Sequence, residues 1–341
     1  MTAPPRTYWT ASDLLAHTFP APRWAVPGVL AEGVNLLAGA PKVGKSWAAL
    51  NIAVAVASGG KAFGRIDVAS GDVLYLALED TPRRLADRLR KVLGRDREPD
   101  RLTFVTACPP ITEGGLDRIS KWLTEHPDAR LVIVDVFARI RGRADAAASA
   151  YDTDYAAMAA LKTLADAHGI SVLVVHHTRK AASEDFLYEV SGTNGLAGAA
   201  DAVLVLKRMR GSADAELHIT GRDVDEAAYA LRFDADLGAW QMLDGPAQDY
   251  TLGDTRRQVL TYVRENEGAT PKQIAESLGI EYATIKQTVS RMNKDDQLDT
   301  DGQGRYFAQP LSPVTPVTLS PTLPTDGDSG DMGDTFDTGA V

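Results

Sequence analysis

Val34–Trp47 reads VNLLAGAPKVGKSW, in which a short apolar run leads directly into a glycine-containing turn. Residues Gly39–Ser46 match the pattern G-x-x-x-x-G-K-[ST] in full. The preceding run, Val34–Ala38, is typical of a buried strand, and the alanine-rich Trp47–Ala57 is typical of a helix that ends at a glycine pair. With strand, loop and helix in this order, the stretch predicts a phosphate-binding loop rather than an accidental glycine turn.

The residue types of this loop suit a triphosphate. Glycines let the backbone turn successive N–H groups toward phosphate oxygens, and the following helix adds its positive end. Lys45 is predicted to reach the β- and γ-phosphates, and the Ser46 hydroxyl to hold Mg²⁺. We therefore expect ATP and Mg²⁺ as ligands, with nucleotide contacts from Gly39, Ala40, Pro41, Lys42, Val43, Gly44, Lys45, Ser46 and Trp47.

Composition is that of an ordinary globular protein. The 341 residues are 44% hydrophobic and 24% charged, and they suffice for one large domain and a small one. No apolar run is long enough to cross a bilayer, and Met1–Arg6 lacks the layout of a secretory signal. The single cysteine, Cys108, cannot form an internal disulfide and is predicted to be a buried packing thiol. A cytoplasmic location without membrane contact is expected.

The net charge of −10 does not by itself exclude nucleic acid as a partner. Five of the acidic residues are aspartates in Pro310–Val341, a segment without lysine or arginine, so the rest of the chain is only mildly acidic. Local basic patches must therefore decide whether the chain binds nucleic acid.

Five segments are expected from the distribution of turn residues and apolar runs. They are an N-terminal extension packing on the core (1–32), an α/β domain (33–243), a linker (244–250), a three-helix unit (251–308) and a disordered, acidic, Pro/Thr-rich tail (309–341). In the α/β domain, strands alternate with helices and several strands are continuous apolar runs, which predicts a mostly parallel sheet covered on both faces. The region from Leu231 to Leu243 is expected to form antiparallel hairpins.

Nine strands are predicted in this domain. They are Val34–Ala38, Val73–Leu78, Leu102–Thr106, Leu131–Val136, Ser171–His176, Ala202–Leu206, Glu216–Thr220, Ala230–Phe233 and Trp240–Leu243. One short helix is expected earlier, near Ser12–His17.

Two acidic strand ends are predicted to complete a hydrolytic site. Leu131–Asp135 is four apolar residues followed by an aspartate, the Walker B pattern, which predicts Asp135 as a carboxylate that holds Mg²⁺ through water. Glu79, which follows another apolar strand, is predicted to polarise the attacking water; for its neighbour Asp80 this role is the weaker option. The alternative for this pair is a solvated start of the next helix, where acids are favourable.

His176 and His177 end a further apolar strand. Adjacent strand positions point to opposite faces, which disfavours binding of one metal ion by both imidazoles. The remaining alternatives are satisfied core groups and contact of one imidazole with the γ-phosphate, and we favour the latter.

Taken together, these pieces resemble the RecA/DnaB-like P-loop ATPase superfamily, and within it the RepA-type replicative helicases of plasmids and phages. The matching stretches run from about Trp24 to Phe233 in the family's order: GAPKVGKSWAALNIAVAVASGG, VLYLALEDTPRRLADRL, LVIVDVFARIRG, SVLVVHHTRK, SGTNGLAGAADAVLVLKR and HITGRDVDEA. The resemblance implies a RecA-like core in which Glu79 is the catalytic glutamate, Asp135 is the Walker B acid and His177 occupies the γ-phosphate-sensing position.

The resemblance also implies a homo-oligomeric ring, expected to be a hexamer, in which an arginine of one subunit enters the neighbour's site. Arg222 fits that role best by strand register; Arg208 and Arg210 stay open as rivals, and a surface salt bridge stays open for each. Such a cation would meet the charge that develops on the γ-phosphate only when the neighbour is docked.

Two basic loops are predicted to face the central channel of such a ring. The first follows the Walker B strand and carries Arg139, Arg141 and Arg143; the second follows the histidine pair and begins with Arg179 and Lys180. Loops of this kind neutralise phosphates of single-stranded DNA without reading sequence. The alternative is a basic loop without a partner.

Residues 251–308 are predicted to be a small winged helix-turn-helix domain. The expected helices are Arg256–Asn266, Pro271–Leu278 and Thr284–Lys294, followed by a hairpin turn at Asp301–Gly304. The third helix would present Lys286 and Arg291 to phosphates and base edges. Because the unit has eight basic and nine acidic residues, DNA contact stays open beside docking of replication proteins or ring packing.

The most specific function that these observations predict is an ATP-hydrolysing ring motor, a replicative DNA helicase that translocates on single-stranded DNA. Two alternatives stay open. One is an ATP-dependent DNA-binding regulator or replication initiator without unwinding activity, and the other is a signalling or scaffold ATPase that never touches DNA.

Overall fold

The structure is a computed structural model that describes residues 8–142, 150–178, 194–208, 214–246 and 254–308. Within these ranges, no helix is both long and apolar enough to cross a membrane. Several sequence expectations fall on positions outside the described residues: Arg143, Arg179, Lys180, Arg210, most of the linker and the acidic tail.

The elements alternate between strands and helices along the core. In chain order the first are α1 (Ala11–Ala16), β1 (Trp24–Val26), β2 (Leu30–Ala31), β3 (Gly33–Gly39), α2 (Lys45–Ser58), β4 (Lys61–Ala62), β5 (Ile66–Asp67), β6 (Asp72–Ala77), α3 (Pro82–Leu93) and β7 (Leu102–Val105). They continue with α4 (Gly115–Glu125), β8 (Ala129–Asp135), α5 (Ala150–His168), β9 (Ser171–His177), α6 (Asn194–Ala199), β10 (Ala202–Arg208), β11 (Asp214–Gly221), β12 (Ala227–Asp234) and β13 (Ala239–Pro246). Short 3₁₀ turns lie at Ile111–Glu113 and Phe137–Arg139.

One nine-stranded sheet organises the core, in the order β13-β12-β11-β10-β3-β9-β8-β6-β7. The six strands from β10 to β7 are parallel, and β11 to β13 extend the sheet as antiparallel hairpins. The nine strands correspond to the nine predicted ones, with ends that differ by a few residues, and the predicted mostly parallel α/β sheet is confirmed. The carboxyl ends of β3, β9, β8 and β6 meet at one edge, where a ligand crevice is expected.

The sheet is buried on both faces because its central strands carry apolar residues at nearly every position. All seven residues of β3 are buried. Leu37 packs with Leu50 and Val56 of α2 on one face, while Leu36 packs with Leu161 of α5 on the other. Each fully buried aliphatic side chain contributes about 1.5–3 kcal/mol to the stability of the fold. Packing on both faces therefore holds β3, and the start of the loop that follows it, in place.

The last strand of the sheet runs further than the sequence predicts. β13 continues through Asp244 to Pro246, which pairs with Tyr229 of β12, whereas the sequence predicts an end at Leu243. A proline is compatible with this position because β13 lies at the edge of the sheet, where one row of backbone N–H groups has no ladder partner.

The N-terminal segment has two different parts. α1 begins at Ala11, one residue before the predicted helix, because the Thr10 hydroxyl accepts a hydrogen bond from the Asp13 amide at 3.1 Å. No residue of α1 is buried. In contrast, Ala25 and Leu30 of the β1–β2 pair are fully buried in the core, so residues 24–31 pack against it and α1 lies at the surface.

The C-terminal unit is a winged helix with its own small core. It contains α7 (Asp254–Glu265), α8 (Pro271–Leu278), α9 (Tyr282–Lys294), β14 (Leu298–Thr300) and β15 (Tyr306–Ala308). α8 has the predicted ends because Thr270 and Gln273 form a capping box, whereas α7 and α9 begin two residues earlier than predicted. Ile274, Ile285 and Val289 are fully buried at its centre.

Candidate nucleotide-binding site

The loop between β3 and α2 has the tight backbone that its glycine pattern predicts. At Gly39, a Cβ atom would lie 2.6 Å from the carbonyl oxygen of Leu206, so no larger residue fits. Gly44 has a φ of 109°, and a Cβ atom there would lie 2.8 Å from the Trp240 ring. Both positions therefore require glycine, and the loop is held closely against β10 and β13.

Lys45 is buried at the first position of α2. Its Nζ donates to the carbonyl oxygens of Gly39 at 2.6 Å and Ala40 at 2.9 Å, and lies 3.0 Å from His177 Nδ1. Burial lowers the pKa of Lys45 to about 8, and the nearby Asp135 carboxylate opposes this decrease. An ammonium held by neutral acceptors can exchange them for phosphate oxygens, with which it forms stronger, charge-assisted hydrogen bonds.

Asp135, at the carboxyl end of β8, is only 5% exposed. The Tyr75 hydroxyl of β6 donates to its Oδ2 at 2.7 Å. Burial raises the pKa of Asp135, while hydrogen bonds from the hydroxyls of Tyr75 and Ser46 lower it. The contact between Ser46 and Asp135 brings a hydroxyl and a carboxylate oxygen together beside Lys45, and hard oxygen donors are what Mg²⁺ prefers.

Glu79 lies two residues beyond the end of β6, the strand that pairs with β8. Its side chain is 46% exposed, and its Oε1 lies 3.5 Å from Arg139 Nε. Burial and Lys45 lower the pKa of His177, and the charges of Glu79 and Asp135 partly oppose that decrease. Lys45, His177, Glu79 and Asp135 are therefore neighbours at one edge of the sheet.

Asp80 is engaged differently from Glu79. Its side chain is 12% exposed and forms ion pairs with Arg84 Nε at 2.7 Å and Arg88 Nη1 at 2.5 Å, both on α3. These two arginines hold its carboxylate against the start of the helix. Asp80 thus anchors α3 to the end of β6, and its charge raises the pKa of Asp135, whereas the charge of Glu79 acts on His177.

His176 points away from Lys45, as the alternation along β9 requires. Its ring meets Phe137 edge-on at 6.4 Å, and burial lowers its pKa to about 4 although the charge of Asp154 raises it. The two histidines therefore serve opposite faces of the sheet. Among the described residues, no group of three or more histidine, cysteine or acidic side chains is placed to hold a metal ion.

The candidate arginines lie at opposite edges of the sheet. Because β11 runs antiparallel to β10, Arg222 lies at the edge away from the loop, 63% exposed, with Nη1 at 3.4 Å from Asp201 Oδ1. Arg208 lies at the loop edge, with its guanidinium 5.4 Å from the rings of both Phe233 and Trp240. Arg222 is therefore exposed and distant from the loop of its own chain.

Two of the predicted DNA-contacting arginines, Arg139 and Arg141, have carboxylate partners in this structure. Arg139 pairs with Glu79, and Arg141 Nη1 lies 2.5 Å from Asp154 Oδ1, whose side chain is 4% exposed. On α9, Lys286 and Arg291 are exposed, as the helical spacing predicts. Arg141 therefore has a structural role that its position in a basic run does not indicate.

Sequence reasoning missed two aromatic residues at the loop, Trp240 and Tyr75. Trp240 is 1% exposed; its Nε1 donates to the Gly44 carbonyl at 3.1 Å, and its backbone N–H donates to Asn51 Oδ1 at 2.8 Å. No local pattern reports a contact across 196 residues. Tyr75 could have been noticed as a hydroxyl within a strand predicted to be buried on both faces, since buried hydroxyls need partners.

Trp47, a predicted nucleotide contact, is partly buried under the Arg88 guanidinium at 5.4 Å.

Cys108 also differs from its expectation. It is partly buried rather than fully buried, beside the apolar cluster that contains Leu36 and Leu161, and burial raises the pKa of its thiol. A raised pKa lowers the thiolate fraction, which agrees with a packing role rather than a reactive one.

Comparisons with known proteins agree with this geometry. An AAA-domain family matches residues 2–183, and a winged helix-turn-helix DNA-binding family matches residues 252–298. One ATPase domain of known structure is 16% identical, with a TM-score of 0.53 over 62% of this chain and 85% of that chain. A DnaB-like replicative helicase is 16% identical, with a TM-score of 0.52 over 62% of this chain and 57% of that chain. No curated protein matches the chain.

The G-x-x-x-x-G-K-S loop and the buried Asp135 lie at the carboxyl edge of a mostly parallel sheet, and with the AAA-domain match they define a P-loop ATPase with a RecA/DnaB-like fold. The AAA-domain match covers more than half of the 341 residues, and the chain therefore belongs to that family. A winged helix completes it at the C-terminal side.

Proposed function

We propose that the chain is an ATP-hydrolysing, ring-forming motor of the RepA-like type, a replicative DNA helicase that translocates on single-stranded DNA. The observation that carries the proposal is that Lys45, 3.0 Å from His177 Nδ1, lies at the sheet edge where the paired strands β6 and β8 lead to Glu79 and Asp135, beside a loop whose glycines no larger residue can replace. The DnaB-like fold and the winged helix support the narrower, DNA-directed part.

In this proposal each site residue has one role in in-line attack of water on the γ-phosphorus. Lys45 leaves the Gly39 and Ala40 carbonyls for the β- and γ-phosphates, and His177, already 3.0 Å from Lys45, senses the γ-phosphate. Glu79 accepts a proton from the attacking water or orients it. Ser46 and Asp135 would hold Mg²⁺, which when bound neutralises charge on the phosphate oxygens.

The ring is proposed because the cation that completes hydrolysis is best supplied from outside the subunit. Arg222, exposed at the opposite edge of the sheet, would enter the neighbour's site and stabilise charge developing on the γ-phosphate. A hexamer is the expected assembly, and Arg208 is the rival for the same role.

Single-stranded DNA is proposed to bind through its phosphates. Arg139, Arg141 and Arg143 after the Walker B strand and Arg179 and Lys180 after His177 would supply charge in the channel, with further contacts from Lys286 and Arg291 on α9. The proposal includes a cytoplasmic location and a role in a replication system that a plasmid or phage encodes. Replication proteins would dock on the winged helix or the tail. It keeps the domain boundaries 1–32, 33–243, 244–250, 251–308 and 309–341.

A second candidate function is an ATP-dependent DNA-binding regulator or replication initiator without unwinding activity. The winged helix-turn-helix match over residues 252–298, with Lys286 and Arg291 exposed on its third helix, favours this alternative. In that case the ATPase core would control assembly on a duplex site.

The deciding experiment compares ATP turnover with and without single-stranded DNA and measures strand displacement on a forked substrate. A several-fold stimulation with displacement supports the helicase, and Lys45→Ala, which removes the phosphate-binding ammonium, serves as the inactive control. Sequence-specific duplex binding without displacement supports the regulator. A turnover rate that does not change when DNA is added supports neither function and indicates a scaffold ATPase.

A further inference from the structure

Tyr75 lies outside the phosphate loop and the Walker B strand, yet its side chain reaches Asp135. It lies in β6, is 2% exposed, and its ring packs against Phe104 with centroids 5.5 Å apart. Phenylalanine would fill this space equally well. The hydroxyl is therefore the part of Tyr75 that packing does not account for.

Strand register explains why the hydroxyl meets the Walker B acid. Ala77 of β6 is paired with Asp135 of β8, and Tyr75 is two residues earlier on the same face as Ala77. A long side chain reaches such a diagonal neighbour across adjacent strands. The phenol accordingly lies 2.7 Å from Asp135 Oδ2, and its oxygen is also 3.5 Å from the Ser46 carbonyl on α2.

A buried carboxylate needs hydrogen-bond donors, and the donors determine how it is oriented. Asp135 accepts a hydrogen bond from the Tyr75 hydroxyl on the neighbouring strand, and the Ser46 hydroxyl, in the first turn of α2, lowers its pKa. With Oδ2 fixed by the phenol, rotation of the carboxylate about its Cβ–Cγ bond is restricted. Outer partners of this kind commonly tune metal affinity in other proteins.

We propose that Tyr75 is a positioning residue that holds the Asp135 carboxylate in the orientation needed to bind Mg²⁺ together with ATP. The inference rests on the proposed function, since it concerns the same site. Its hydroxyl contacts Asp135 and the Ser46 carbonyl, and we expect it to act through Asp135 alone.

The test is Tyr75→Phe, which removes the hydroxyl and keeps the ring. Binding of a fluorescent ATP analogue is measured in EDTA and across a Mg²⁺ titration. We expect unchanged affinity in EDTA and a roughly tenfold higher Mg²⁺ concentration for half-maximal enhancement, within the range for lost outer-shell partners. Phe104→Leu, which disturbs the same packing without removing a hydrogen bond, should leave the Mg²⁺ midpoint at the wild-type value.

A double-mutant cycle with Asp135→Asn separates positioning from a general weakening. Once Asp135→Asn has removed the carboxylate, the Tyr75→Phe change should no longer affect the Mg²⁺ dependence, and equal effects in both backgrounds overturn the inference. The same holds if Tyr75→Phe lowers affinity equally in EDTA and in Mg²⁺.

Two further measurements keep the inference testable. If circular dichroism shows that Tyr75→Phe does not fold, a crystal structure of the wild type with Mg²⁺ and a non-hydrolysable ATP analogue decides whether the hydroxyl contacts Asp135. A hydroxyl beyond 3.5 Å from Asp135 overturns the inference. If the wild-type chain binds no nucleotide, the proposed function and this inference are both overturned. If the wild type binds Mg²⁺ and ATP and Tyr75→Phe has the same Mg²⁺ dependence, only the inference is overturned.

Discussion

Arg139 Nε lies 3.5 Å from Glu79 Oε1, so the first basic loop and the candidate catalytic carboxylate are held together. If phosphates of single-stranded DNA compete for Arg139, Glu79 is released toward water. We expect Arg139→Gln to raise turnover without DNA by up to about fivefold, the limit for an exposed ion pair, and to reduce stimulation by DNA. Steady-state ATPase assays measure both quantities.

The matched control is Arg83→Gln, which removes an exposed arginine whose partner, Asp87, is not part of the site. Its turnover should equal that of the wild type. A lower rate without DNA in Arg139→Gln would mean that Arg139 assists Glu79 rather than restraining it.

Arg141 is expected to affect stability more than DNA binding. Its replacement by glutamine leaves the buried Asp154 without its cation, which should lower the free energy of unfolding by about 2 kcal/mol, less than for a fully buried pair because Arg141 is 38% exposed. Adding Asp154→Asn should recover most of the loss. Urea denaturation of the single and double variants measures this, and losses that simply add would show that the pair is not coupled.

His176 is expected to make stability depend on pH between about 4 and 6.5. Burial lowers its pKa to about 4 in the folded chain against 6.5 when unfolded, so in this window only the unfolded chain binds the proton. Stability is thus retained above pH 6.5 and falls as the pH decreases toward 4, by up to about 3 kcal/mol.

His176→Gln should flatten the stability curve within that window, as urea unfolding at pH 4.5 and 7 would show. His17→Gln, at an exposed histidine of the N-terminal segment, is the control for loss of a histidine side chain. Parallel curves for His176→Gln and the wild type would contradict the assignment.

Much of this site follows from local sequence, and some of it does not. The loop at Gly39–Ser46 and the strand that ends in Asp135 are predictable because neighbouring residues specify both their backbone and their chemistry. The bonds from Tyr75 to Asp135 and from Trp240 to Gly44 join residues 60 and 196 positions apart, and only the sheet order brings them together. The partners of Arg139 and Arg141 were missed for the same reason, since a basic run does not show which acids fold against it.

Arg222 is expected to act in a neighbouring subunit. Arg222→Ala should bind ATP normally and hydrolyse it at least about 1,000-fold more slowly, the lower limit of the loss for a removed arginine finger. Mixing it with Lys45→Ala should restore part of the turnover, because intact Lys45 and intact Arg222 then meet at some interfaces. The same mixture made with Arg208→Ala tests the rival, and absence of recovery in the first mixture with recovery in the second would transfer the role to Arg208.

Trp240→Phe should weaken nucleotide binding without unfolding the chain. The change removes the hydrogen bond to the Gly44 carbonyl and keeps most of the buried ring, so we expect a fewfold loss of ATP affinity and a stability change of about 1 kcal/mol. Trp122→Phe, at a partly buried tryptophan of α4 beside His126, is the control for replacing an indole by a phenyl ring. Equal ATP affinities in the wild type and Trp240→Phe would show that the loop keeps its shape without this hydrogen bond.

The contact of Trp240 with Gly44 also sets how short a working fragment of this chain can be. The last parallel strand in chain order, β10, ends at Arg208, and a fragment cut there would still contain Lys45, Glu79, Asp135 and His177. It would nevertheless lack the ring against which Gly44 rests and the amide from which Asn51 accepts a hydrogen bond. Deletion mapping should therefore place the C-terminal limit of ATP binding beyond β13, far past the last residue expected to touch the nucleotide.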